Sequence, residues 1–197
     1  MILYACSTNR GKLAEFALAA ELVGCQLKLL PRIEENAPPD ETGETFEANA
    51  ALKAVYYSGF TSEIVLADDS GLAVDALNGK PGVNSARYAG LHASATANND
   101  LLIKNLAGVS DRRAHFECVI ALAQHGRILE SASDIVEGEI LSAARGSHGF
   151  GYDPLFFYPP LNRSFGELSD EEKLWVSARG RALRKIFAAV SSMPNLR

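Results

Sequence analysis

Cysteine is scarce in this chain, and its placement excludes most of what cysteine is used for. Cys6, Cys25 and Cys118 are odd in number and far apart, with no CxxC pair and no Cys/His cluster. Neither a disulfide framework nor a zinc site is expected, and the thiols should be reduced. Basic charge is also short. The 19 Lys and Arg stand against 24 Asp and Glu, a formal net charge of -5, whereas a protein that wraps a nucleic acid needs a basic face. No run approaches the roughly 20 apolar residues that span a bilayer, and no basic stretch followed by an apolar run opens the chain. A cytoplasmic protein with neither nucleic-acid nor membrane partners is the expectation. Internal repeats, low-complexity tracts and linkers are missing too. What remains, with 47% hydrophobic and 22% charged residues among 197, is a globular chain with a sizeable core, one domain or two lobes sharing a sheet.

Met1 to Cys6 reads as a short apolar strand, and the polar run after it turns into a helix on which Leu13, Phe16, Ala17, Ala20 and Val23 recur at helical spacing, closed by Gly24. Gln26 to Leu30 is a second strand, and an acidic loop runs from Glu34 to Glu44. Residues Thr45 to Ser58 and Ser94 to Leu106 read as helices. Ile64 to Ala67 reads as a strand ending at Asp68-Asp69-Ser70-Gly71, with a separate strand from Leu72 to Leu77. The alternation of Phe116, Cys118, Ile120 and Leu122, then His125-Gly126 and the run to Ile140, predicts an antiparallel hairpin. A last helix begins at Ser169, with Glu172 completing a capping box, and runs to about Val190. Helices and strands alternate early and a hairpin follows, which favours an α/β fold around a long twisted mixed sheet, with helices on both sides and a cleft between two lobes.

Five segments concentrate groups suited to phosphate, metal or base. In Ser7-Thr8-Asn9-Arg10-Gly11-Lys12 the hydroxyls, an amide, helix-terminal N–H groups and Lys12 form a cradle for phosphate oxygens; an ordinary helix cap has the same composition. It is not a Walker A loop, because the glycine pattern is missing and Leu13 stands where Ser or Thr would hold magnesium. The adjacent carboxylates Asp68 and Asp69 are costly at the end of an apolar strand, and hard oxygen ligands of this kind suit Mg2+. A self-bonded Asp-Ser-Gly turn is the plainer alternative. Asp40, Glu41 and Glu44 lead into a helix carrying Asn49 and Lys53, which reads equally as an acid-capped helix. Around Phe150, Gly151, Tyr152 and Asp153, glycines permit close backbone approach and an aromatic ring can stack on a base. Lys173 and Arg179 stand on the last helix, where each alone reads as a solvated cation.

In this combination and order the segments resemble the inosine/xanthosine triphosphate pyrophosphatase family, which acts on ITP, dITP and XTP. The stretches that carry the resemblance are STNRGK, ETGETFEANAALKA, LADDSGLAVDALNGKPGVNSARYAG, GFGYDPLFF and ELSDEEKLWVSARGRAL, from residue 7 to about 183. The block from Leu66 to Gly90 is the most specific. The resemblance implies Mg2+-dependent attack at the α-phosphorus, releasing pyrophosphate and a nucleoside monophosphate, in a homodimer of elongated two-lobed α/β subunits. It implies that Ser7 to Lys12 hold the triphosphate and that Asp69 is general base and metal partner, with Asp68 in the same metal site. It further implies that Ser70 contacts substrate and that Asp40 or Glu41 is the second metal carboxylate. Phe150 to Asp153 and Lys173 are implied as substrate contacts, and Arg179 as the base reader. Where family members usually carry Ser-His-Arg, this chain has Ser177-Ala178-Arg179, so the base side lacks an imidazole at Ala178.

The implied chemistry agrees with the residue types. Phosphoryl transfer is mainly positioning plus charge neutralisation, which Mg2+, Lys12, Lys53 and Lys173 can supply. A 6-oxo purine accepts where adenine donates, so Arg179, a donor without acceptor capacity, suits it. Two rivals are a Maf-like pyrophosphatase for modified pyrimidine nucleotides, which would not combine GFGYDP with the SxRG element, and a nucleotide sensor without catalysis, which the intact Lys12, Glu41, Asp68 and Asp69 disfavour.

Overall fold

Short apolar runs and capped helices set the elements, which a computed structural model describes for residues 2–35 and 37–192. Met1 and Asn36, in the expected first strand and acidic loop, lie outside them. The strands are β1 (Ile2–Ala5), β2 (Gln26–Leu29), β3 (Ile64–Val74), β4 (Arg113–Gln124), β5 (Arg127–Ile140), β6 (Phe156–Tyr158) and β7 (Arg163–Ser164). They form one open mixed sheet in the order β2-β1-β3-β4-β5-β6-β7. β1 pairs in parallel with β2 and with β3, while β6 pairs antiparallel with β5 and β7. His125 and Gly126, both at positive φ, make the two-residue turn from β4 into its neighbour β5. The helices are α1 (Arg10–Leu22), α2 (Phe46–Tyr57), α3 (Ala95–Asn105), α4 (Asp170–Val176) and α5 (Ala178–Ser192).

Local chemistry explains where the helices start. Asn9, Thr45 and Ser94 each accept a first-turn backbone N–H at 3.1 Å, from Lys12, Ala48 and Ala97, capping α1, α2 and α3. At α4, Ser169 and Glu172 form the reciprocal capping box expected from their spacing.

The described residues fall into two compact units. The first comprises residues up to Asp69, Cys118–Asp134 and the chain from Ala178. Its core joins Leu3, Phe16, Ala20, Leu66, Ile120, Leu183 and Phe187, and α1 packs on α5. The second comprises Ser70–Glu117 and Ile135–Ser177. Its core includes Leu72, Leu102 and Leu106, together with an aromatic cluster in which Phe156 lies 4.7 Å from Phe116 and 4.9 Å from Phe165 between ring centroids.

Two expectations are corrected. β3 does not stop at Asp68 but continues through Asp68-Asp69-Ser70-Gly71 to Val74, because each carboxylate finds buried cationic partners. The last helix is broken at Ser177, whose ψ of 154° is extended. No proline or glycine marks that break; its cause is tertiary, since Arg179 is drawn into buried ion pairs from the start of α5.

Phe156 has no exposed surface, so Phe156→Ala leaves a cavity in the second unit and should cost about 3–5 kcal/mol of unfolding free energy. Urea denaturation measures it. A cost near zero would mean that the aromatic cluster does not hold this unit together.

Candidate active site

Successive side chains of a strand point to opposite faces of the sheet, and β3 uses this alternation to separate Asp68 from Asp69. Asp68, 3% exposed, meets α1 and α5. Lys12 Nζ lies 3.1 Å from its Oδ1 and 3.0 Å from its Oδ2. Arg179 donates to Oδ2 from Nε at 3.3 Å and from Nη2 at 3.2 Å. Arg179 Nη1 also donates to Glu15 Oε2 at 2.5 Å. Glu15 follows Lys12 by three residues and so shares its face of α1. Burial raises the Asp68 carboxyl, but Lys12, Arg179 and Lys53 outweigh it and hold the group well below the usual carboxylate range. The Cys118 thiol, 4.0 Å from Asp68 Oδ2, is pushed up by burial to about 12 and stays neutral. This cluster is a buried, charge-matched anchor.

Asp69, 6% exposed, meets α2 instead. Lys53 Nζ lies 2.7 Å from Asp69 Oδ1 and 2.7 Å from Glu41 Oε1, bridging the two carboxylates. Asn49, one turn before Lys53, donates to Asp69 Oδ2 at 3.3 Å. Asn49 is itself fixed by Gly43, whose N–H donates to Oδ1 at 2.8 Å and whose carbonyl accepts from Nδ2 at 3.2 Å. A Cβ on Gly43 would stand 2.6 Å from that Oδ1, so the close approach requires glycine. Burial pushes the Asp69 carboxyl up, and Lys53 and Lys12 offset this only in part. The Lys53 ammonium loses by burial but gains more from Asp69 and Asp68, so it is held protonated.

The donor set fits magnesium. Glu41 and Asp69 converge on one cationic point, now the Lys53 ammonium. Mg2+ takes one or two protein carboxylates and completes its shell with water and phosphate oxygens, so a third ligand from His, Cys, Asp or Glu is not required. Asp68 does not join this pair: both its oxygens serve Lys12 and Arg179. Of the alternatives Asp40 and Glu41, the structure brings Glu41 to Asp69 and leaves Asp40 exposed.

Ser7, Thr8, Asn9, Arg10 and Gly11 surround the N-terminus of α1, with Ser7 Oγ accepting from the Asn9 N–H at 3.2 Å. First-turn N–H groups have no partner inside the helix and carry its positive dipole end, which makes this loop an anion cradle in the same unit as Asp69.

The second unit carries its own polar cluster. Asp153 Oδ2 accepts from the Phe150 N–H at 2.7 Å and from Lys173 Nζ at 2.5 Å, and Lys173 Nζ sits 4.4 Å over the Phe150 ring. Gly149, at φ +72°, has no room for a Cβ beside the Asp153 carboxylate. Tyr152 is buried and donates its hydroxyl to the Ser85 carbonyl at 2.9 Å. Asp153 and Lys173 thus shape the Phe150–Tyr152 turn from inside.

A family profile described as the Ham1 family matches residues 3–189. The chain belongs to the Ham1 family. It is 44% identical over 190 residues to a dITP/XTP pyrophosphatase of Exiguobacterium, covering 96% of this chain and 97% of that protein. It is 46% identical over 185 residues to one from Bacillus anthracis, with 90% of each covered. Among solved structures it is similar to the Ham1 protein of Staphylococcus aureus, at TM-score 0.85 and 37% identity over 97% of this chain and 98% of that one. A HAM1 protein from Coxiella burnetii matches at TM-score 0.87 and 36% identity, over 98% and 100%.

In this Ham1 chain, sequence reasoning picks out Lys12, Lys53, Glu41 and Asp69, with Asp68, Asn49 and Arg179, but not how they pair. Glu15 went unnoticed, although its three-residue spacing from Lys12 was a usable signal. Asn49 was noted on its helix without its partner Asp69. Ala178, at the position of the usual family histidine, is buried at the start of α5. Ser70 follows Asp69 on β3 and is half-buried.

Two expectations follow from this geometry. Asp68→Asn leaves buried Arg179 and Lys12 short of a countercharge and should cost about 3–5 kcal/mol. The Asp68 carboxyl is depressed below its ordinary value of 3.8, so its stabilisation is fully present above that value and lost as pH falls below it. The gap between wild type and variant in urea unfolding should be level near neutrality and narrow below 3.8; a gap that widens on acidification would refute the assignment. Gly43→Ala must displace Asn49 and should lower kcat/KM by roughly tenfold, the scale of one misplaced orienting group. Unaltered kinetics would show that Asn49 does not orient Asp69.

Proposed function

We propose that this chain hydrolyses non-standard purine nucleoside triphosphates, dITP and XTP as for its named relatives and ITP with them, to the monophosphate and pyrophosphate with Mg2+. The observation that carries the reading is Asp69: a buried carboxylate raised from its ordinary value, steered by Asn49, joined to Glu41 through Lys53, and in one unit with the α1 cradle. A carboxylate raised in this way is a stronger base than an exposed one.

The α1 N-terminus, Lys12 and Lys53 meet the charge of the triphosphate and hold it in line. Asp69 orients a water and takes its proton as the water oxygen bonds to the α-phosphorus; the bond from that phosphorus to the bridging oxygen breaks, and pyrophosphate leaves with the electron pair. What magnesium supplies, when held by Asp69 and Glu41, is positive charge against the phosphate oxygens. Phe150, Gly151, Tyr152, Asp153, Lys173 and Ser70 are proposed as further substrate contacts, as the resemblance implies. Arg179 is proposed to read the 6-oxo group, from a guanidinium already oriented by Glu15 and Asp68. The homodimer implied by the resemblance and the cytoplasmic location read from composition complete the proposal. No described helix is long and apolar enough to cross a membrane.

A panel of ITP, dITP, XTP, GTP and ATP with Mg2+, scored for pyrophosphate against phosphate, tests the reading. Pyrophosphate should come from the first three; phosphate release, or equal turnover of ATP, would overturn it. Asp69→Asn should lose about 10³-fold in kcat or more with the fold retained, because Lys53 keeps Glu41 as a countercharge. In the wild type, the acid limb of kcat/KM should lie above pH 3.8, with activity lost as pH falls through the raised Asp69 pKa. A variant retaining a large share of turnover would remove Asp69 from the role of base.

A further inference from the structure

The Phe150–Asp153 turn is held from outside as well as from within. α3 carries two neighbouring asparagines, and neither serves the helix. Asn98 accepts the Ala89 N–H at 2.8 Å and donates to the Ala86 carbonyl at 3.1 Å, fixing the segment that contains Ser85. Ser85 in turn accepts the Leu72 N–H on its hydroxyl at 2.9 Å and the Tyr152 hydroxyl on its carbonyl. Asn99 Nδ2 donates to the Gly151 carbonyl at 3.1 Å. Gly151 stands at φ +62°, a conformation that little besides glycine adopts without strain, so its carbonyl direction depends on what receives it.

Asn99 is a poor choice for helix stability alone. Asparagine ranks well below alanine in helix propensity, and Asn99 Oδ1 is buried without a hydrogen-bond partner among the described residues, an arrangement that calls for an explanation. What the side chain gives in return is one bond, to the backbone of the turn. The chain relies on an amide here rather than a carboxylate because only the amide donates to a carbonyl.

We infer that Asn99 is a positioning residue for nucleotide binding: its side-chain amide sets the backbone of Gly151, and through it the placement of Phe150 and Tyr152 against the nucleoside part of the substrate. The inference rests on the proposed function in taking this turn as a substrate contact. The hydrogen bond of Asn99 goes to the backbone of this turn, so the inference assigns it affinity for the nucleoside end and not the chemical step.

The test uses the full chain and Asn99→Ala, a change that restores helix propensity and removes the buried Oδ1. The KM for dITP should rise about five- to tenfold, the scale of one lost orienting hydrogen bond, with kcat changed less than about threefold. Inhibition by inosine monophosphate should weaken by the same factor, while inhibition by pyrophosphate and the melting temperature hold. An unaltered KM, or a fall in kcat that tracks lost stability, would overturn the inference. Amide hydrogen exchange supplies a readout independent of activity: residues 147–154 should exchange at least about tenfold faster in Asn99→Ala, with α3 unchanged. If the wild type hydrolyses neither dITP nor XTP, the proposed function fails while the exchange measurement still decides the tether. Unchanged exchange in that segment refutes it.

Discussion

Two neighbouring carboxylates buried in one strand are the constraint to which the rest of the first unit answers. Each isolated charge would cost several kcal/mol to bury, so β3 can continue through Asp68 and Asp69 only where cations are brought to both. Lys12 comes from the first helix, Lys53 from the second and Arg179 from the last. These come from opposite ends of the chain, which is why a site built on two adjacent residues needs residues from Lys12 to Arg179 to exist. The neutralisation is unequal. The Asp68 carboxyl is held low by its cations, whereas Asp69 keeps a raised carboxyl. Two adjacent aspartates can carry different carboxyl chemistry because their partner sets differ.

The second unit solves a related problem with one ion pair. Asp153 draws Lys173 and the Phe150 amide to a single oxygen, so a turn rich in glycine acquires a fixed interior without a large apolar contribution. Lys173 is nearly fully buried, and Asp153 and the Phe150 ring both help to offset its charge. The aromatic cluster of Phe116, Phe156 and Phe165 supports the strand that leaves this turn.

What could be read from the sequence follows the range of the interactions involved. The helices capped by Thr45, Ser94 and Ser169 were legible because a cap is decided within three residues. The α/β class followed from alternation, and the motif order pointed to the family. Continuity of β3 was not legible, since a pair of aspartates is a strand terminator unless distant cations are known to arrive. The break at Ser177 was equally hidden: serine does not stop a helix, and the cause lies in Glu15 and Asp68, far away in the chain. The choice of Glu41 over Asp40 needed the position of Lys53. Sequence reasoning named the site residues, Asn49 included, but not which of them pair, and it passed over Glu15 and Asn99, because a holder is defined by its partner.

The alternation of β3 also limits how this strand can change by insertion or deletion. Adding or removing one residue between the β1 pairing and Asp68 would rotate every later side chain to the other face. Asp68 would then point at α2 and Asp69 at α1 and α5. A two-residue change preserves the facing but moves both carboxylates along the strand by roughly 6–7 Å, beyond the reach of Lys12 and Lys53. The length of this strand segment is therefore quantised at a single value, and variation in chain length is directed to the loops that β3 joins.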